Sequence, residues 1–198
     1  YPTLQETLRS SYDDGPDGAW FIANTGHLES LVHGIYPSLG ADLGANMTLL
    51  YEDGIEQKGF ESDDGVVVQE AQDRLADGAR MVLANLHEID RAGHNKPKNY
   101  AGVVSQTDEP IASFHDWLVH DSDIGDETLL LVLADHGRHR FAVEVPEPWT
   151  HHGCHCSGCR EVPMFLKGPG VRQGASIDDP VVLEDLTSTA AWLLGIPM

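Results

Sequence analysis

Thr128–Gly137, TLLLVLADHG, decides the fold expected of this chain. Leu129–Ala134 is apolar without alternation, the pattern of a strand buried on both faces in a parallel sheet. Asp135, His136 and Gly137 follow it directly. Ligands of open α/β sheets bind at strand ends, in the crevice between helical layers. A carboxylate beside an imidazole there offers two donors to one metal ion. Gly137 is expected to let the backbone turn away sharply. An Asp-His-Gly turn that merely closes a strand is the plain alternative.

Two further segments carry the same residue types. Arg80–His87 reads as a strand, and Asp90 and His94 follow it in EIDRAGHN. Four residues apart on a helical turn, they share a face and can share a metal. His152 lies in a third segment, Thr150–Gly153. His151 competes with it, but Gly153 favours His152 by permitting close backbone approach. Asp90, His94 and His152 would form one site with an open position, and Asp135 and His136 half of a second. Two ions roughly 3.5–4 Å apart suit in-line displacement at phosphorus. His87 and Glu88 are candidates to support these groups. Arg138 and His139 could contact an anion, or lie with Arg140 in a solvated loop. His27, His33, His115 and His120 read as ordinary surface histidines.

Around these segments strands and helices alternate, which implies an α/β fold with a mainly parallel sheet and helices on both faces. Thr3 and Glu6 are spaced as a capping box for a first helix. Ala19–Ala23 is a short buried strand, and Met47–Tyr51 a further candidate. Asp63 and Asp64 open a helix to about Asp77, with Val68, Ala71 and Leu75 on one stripe. Thr107 is expected to cap a helix after a polar connection over Asn95–Val104. Val162–Leu166 is another strand and Leu183–Leu194 a last helix. His27–Tyr36 is ambiguous and Pro37–Asn46 reads as a loop.

The 198 residues suit one domain. No apolar run approaches ~18 residues, so no membrane-spanning helix is expected. Asp and Glu number 32 against 12 Lys and Arg, a net charge of −20. That charge repels polyphosphate and argues against nucleic-acid binding through a basic patch. High acidity with few lysines suits a soluble protein of a high-salt cytoplasm. All three cysteines fall within Cys154–Cys159, an odd count for a disulfide framework. With His155 they could form a small zinc site; two could pair; or all could be reduced thiols.

The ordered set Asp90-x-x-x-His94, Ala134-Asp-His-Gly137 and a later His-Gly before Val162-Pro163 resembles the alkaline phosphatase superfamily. It looks closest to the type I phosphodiesterase/nucleotide pyrophosphatase branch, with sulfatases as cousins. Lys167–Val171 and Glu184–Thr189 with Leu194-Gly195 resemble that family's closing strand, turn and final helix. The resemblance implies two divalent metals, zinc first and manganese or magnesium as alternatives. It assigns Asp90, His94 and His152 to the first and Asp135 and His136 to the second. It implies a hydrolase of phosphate esters; a sulfate ester hydrolase or a non-catalytic metal-binding domain are alternatives. The family's Ser or Thr nucleophile and a further Asp are not found. Tyr1–Leu4 resembles the segment just after the nucleophile, so residues 1–198 read as the C-terminal portion of a larger catalytic domain. On that reading the fold is incomplete on its N-terminal side, and the missing half or another chain is an expected partner. Thr3 is a poor substitute because it lies at a helix start.

Overall fold

The computed structural model describes residues 4–12, 16–24, 46–49, 63–139 and 150–196, in two compact units. The expected capping box, the segments 27–36 and 37–45, and residue 140 lie outside the described residues.

The first unit comprises residues 1–87 and 180–198. Its centre is β1, Ala19–Ala23. β2 (Asn46–Leu49) and β3 (Met81–Asn85) flank it, both parallel, in the order β2-β1-β3. Trp20 is in register with Asn46 and Val82. Side chains alternate across a strand, and the two faces of β1 carry separate clusters. Ala19, Phe21 and Ala23 pack with Leu8 of α1 (Leu4–Tyr12) and Ala191 of the last helix, Asp185–Leu193. Ile22 packs with Val67 and Ala71 of α2, Asp64–Ala76. Helices therefore cover both faces of a parallel sheet, as expected. Phe21 and Ile22 are fully buried, each worth roughly 1.5–3 kcal/mol of transfer free energy.

α2 begins where the sequence places it. The Asp63 carboxylate accepts a hydrogen bond of 2.9 Å from the Gly65 amide, capping the helix. Asp64 is buried, and its carboxylate accepts a 2.9 Å bond from the Asn24 side-chain amide just past β1. Asn24 Oδ1 accepts from the His87 amide at 3.1 Å, beyond β3. One buried amide thus ties two strand ends to a helix start. Asn24→Leu removes both bonds and is expected to cost about 1–3 kcal/mol, read as a lowered urea midpoint. An unchanged midpoint would show that the bridge is idle.

The second unit comprises residues 88–179. α3, Glu88–Asn95, packs on α4, Tyr100–His120. α4 starts seven residues before the cap expected at Thr107, which is buried inside it. Thr-Asp-Glu-Pro has the composition of a helix start, but Pro110 is accommodated within the helix. Packing of Phe114 and Leu118 on the unit's interior outweighs that local signal.

β4, Leu130–Leu133, departs furthest from expectation. It is half-buried and pairs antiparallel with β5, Met164–Lys167, Leu130 opposite Lys167 and Leu133 opposite Met164. The expectation that this strand runs parallel to its neighbour is corrected: its partner among the described residues is antiparallel. An apolar run records a strand's preference for burial but not the direction or identity of its neighbour. Among the described residues no helix is long and apolar enough to cross a membrane.

Candidate metal centre

Three local structures bring the candidate ligands together. α3 holds Asp90 and His94 one turn apart, with His94 Nε2 3.4 Å from Asp90 Oδ1. His152 comes from the segment before α5, the single turn Ser157–Arg160. Its Nε2 lies 3.0 Å from His94 Nε2 and 3.6 Å from Asp90 Oδ1. Donors about 2.0–2.2 Å from one tetrahedral ion stand about 3.3–3.6 Å from one another. Two sides of the observed triangle match that spacing, and the His94–His152 side is shorter. His151 is exposed, and the structure brings His152, not His151, to Asp90.

His136, after β4, joins the same group. Its Nε2 lies 3.8 Å from both Asp90 Oδ1 and Asp135 Oδ1, and its ring stacks on His152 at 3.7 Å. The Asp135 carboxylate is 79% exposed and accepts from the His136 amide at 3.0 Å. The five expected ligands therefore form one continuous patch with Asp90 at its middle. Burial, and then the charge of His136, lowers the His152 pKa; nearby Asp90 opposes the shift. A lowered pKa keeps the ring neutral, with a lone pair free for a metal.

Arg138 was not legible as part of this arrangement. Its guanidinium is 7% exposed and donates to Asp90 Oδ1 at 2.5 Å and to the Asp90 carbonyl at 2.7 Å. A third bond, 3.4 Å, runs to the Thr150 carbonyl. It fixes Asp90 from behind and tethers the segment that carries His152. A Cβ on Gly93 would sit 2.1 Å from its guanidinium carbon, so the helix leaves a notch for it. Basic residues after a strand carry no sequence mark of such burial. Glu88 instead pairs with Arg91 at 2.6 Å. His115 lies 3.4 Å from neighbouring Asp116, and His120 is exposed, in keeping with a surface role.

The two glycines exchange their expected roles. Gly137 does not have a positive φ; it is needed because a Cβ there would lie 2.0 Å from the Gly158 carbonyl oxygen. Gly153 has φ +93° and open space around it, so it supplies the turn rather than the close approach.

The thiols also gather. Cys154, Cys156 and Cys159 converge on His139 rather than on the expected His155. Hydrogen bonds from Cys154 and His139 hold the Cys156 thiol at a pKa of about 6.

Comparison with known proteins agrees with this architecture. The family model described as Sulfatase matches residues 16–196. A phosphopentomutase of Symbiobacterium thermophilum is 27% identical over 197 residues, 97% of this chain and 41% of that protein. A phosphopentomutase of Herpetosiphon aurantiacus is 31% identical over 119 residues, 59% of this chain and 26% of that protein. The chain thus spans less than half the length of these curated relatives. A crystal structure of an alkaline phosphatase superfamily protein from Vibrio parahaemolyticus aligns with a TM-score of 0.58 at 16% identity. The alignment covers 96% of this chain and 47% of that one. That superfamily consists of enzymes that use divalent metals in phosphoryl and sulfuryl transfer and hydrolysis. The chain belongs to the sulfatase family, within the alkaline phosphatase superfamily.

Proposed function

We propose that this chain supplies the metal-binding part of a two-metal hydrolase of phosphate esters. The observation that carries the reading is the Asp90–His94–His152 triangle, with donors 3.0–3.6 Å apart. Its single carboxylate and two imidazoles suit zinc, with manganese or magnesium as alternatives. Asp135 and His136 are the ligands proposed for a second ion. Bound there, divalent ions would supply Lewis-acid polarisation of an ester oxygen. Asp90 contributes negative charge at the centre of the patch. His94 and His152 contribute ring nitrogens, and Arg138 holds the Asp90 carboxylate in place. The Asp135 carboxylate is exposed, so an ion held there would be open to an arriving ester.

We propose further that the nucleophilic hydroxyl comes from residues outside these 198, the partner expected from the sequence. Transfer of phosphate between positions of a sugar phosphate is a second reading, favoured by the names of two relatives.

The test assays an aryl phosphate monoester, a diester, an aryl sulfate and a pentose phosphate, with zinc or manganese added. Both the 198 residues and the polypeptide extended through the sequence preceding Tyr1 in its gene are measured. Release of the aryl alcohol from the monoester or the diester by the longer protein alone, lost in Asp135→Ala, is the expected result. Turnover by the 198 residues, lost in Asp135→Ala, would refute the outside nucleophile. Isomerisation without phosphate release would select the mutase, and sulfate release alone the sulfatase.

A further inference from the structure

The Cys154–Cys159 segment closes on a residue 15 positions upstream of its first thiol. His139 Nδ1 lies 3.1 Å from Cys154 Sγ, 3.6 Å from Cys156 Sγ and 3.7 Å from Cys159 Sγ. Cys154 and Cys159 are 3.7 Å apart, sulfur to sulfur. One tetrahedral zinc with bonds of about 2.3 Å to sulfur and 2.0–2.1 Å to nitrogen sets ligand separations of about 3.8 Å for S···S and 3.5 Å for S···N. Three of the four distances lie close to these values, Cys154–His139 is shorter, and all four donors lie within 4.8 Å of one another.

Simple packing does not explain it. Cys154 and Cys156 are exposed, so hydrophobic burial does not draw them together. A disulfide would require a sulfur separation near 2.05 Å and would use only two of the three thiols. The local backbone is instead arranged around the sulfurs. The Cys156 amide donates to Cys154 Sγ at 3.3 Å. The turn of α5 places Cys159, whose carbonyl accepts from the Gly137 amide at 2.9 Å, two residues before His139.

We propose that His139, Cys154, Cys156 and Cys159 form a structural zinc site, separate in its ligands from the Asp90 cluster. Four protein ligands fill a tetrahedron and leave no position for substrate, which marks a structural rather than a catalytic site. The thiols surrender their protons to solvent on binding, and three thiolates with a neutral imidazole give the zinc complex a net charge of −1. The unit has reason to use such a staple. Its buried apolar residues among those described are Ala92, Phe114, Leu118 and Cys159. Small cores of this kind gain from a metal cross-link. The inference does not depend on the hydrolase reading, because its test measures metal and thiols rather than turnover.

The test purifies the 198-residue chain under reducing conditions and uses cobalt(II) as the probe, displaced by zinc. A tetrahedral cobalt spectrum with a sulfur-to-metal charge-transfer band is expected. It should persist in Asp90→Asn/His152→Ala, which weakens the other cluster, and vanish in Cys154→Ser/Cys156→Ser. Both serines replace exposed side chains, and circular dichroism checks the fold. If the double variant unfolds, Ellman's reagent decides on the unaltered chain: all three thiols should be blocked with zinc and reactive after chelation. A cobalt complex without the sulfur band would overturn the site. So would retention of the band in the double-serine variant, or thiols equally reactive with and without zinc.

Discussion

Asp90→Asn lowers the affinity of the Asp90–His94–His152 cluster for a divalent ion by at least about 100-fold. Removing an outer partner of a metal ligand already costs 10–100-fold, and this change removes the only anionic ligand of the triangle. Asparagine keeps the carbonyl oxygen that Arg138 grips, so the replacement alters charge while leaving the tether to the Thr150 carbonyl in place. Manganese is the suitable probe, because thiolates prefer softer ions and the cysteine cluster stays out of the titration. Electron paramagnetic resonance counts free manganese as it is added. Equal affinity in the variant and the unaltered chain would show that Asp90 serves Arg138 alone.

Gly137→Ala is expected to destabilise the second unit by about 2–3 kcal/mol, the upper part of the usual range for overpacking. The added Cβ would meet the Gly158 carbonyl oxygen at 2.0 Å. A backbone carbonyl cannot swing aside as a long side chain can. The 2.9 Å bond from the Gly137 amide to the Cys159 carbonyl must lengthen or break. His136 precedes the displaced residue and His139 follows two positions on, so manganese affinity and the sulfur-to-cobalt band should fall together. Chemical denaturation supplies the stability, and normal values for all three measurements would contradict the close approach.

The parts of this site that the sequence disclosed are those set by local geometry. Asp90 and His94 are legible because a helix fixes residues four apart on one face. Asp63 is legible because its carboxylate caps the adjacent helix. β1 is legible as a strand because five residues carry its whole pattern, and its parallel partners follow from the alternation of strands and helices. What failed depended on distant partners. The direction of β4 is set by β5, more than 30 residues later. The burial of Arg138 is set by α3, and the pairing of His139 with the thiols by a turn beyond residue 150. His155 was the nearer imidazole in sequence, but nearness along the chain does not bend a side chain toward its neighbours. Gly137 and Gly153 show the same limit: the sequence marks a need for glycine, while the reason depends on what lies opposite.

Asp135–His139 has a consequence for inheritance. His136 faces Asp90 and His152, while His139 faces the cysteines, and the peptide between them is bonded to the cysteine turn. Selection on the two clusters therefore acts through one short loop. Homologous lineages should gain or lose His139 together with Cys154, Cys156 and Cys159, as a block. His136 should persist through those changes with Asp90 and His152. A lineage that sheds the cysteines also sheds the constraint on position 158, and glycine at 137 should then drift. Co-variation of 137 with 158, against constancy of 136, is the trace such a history would leave.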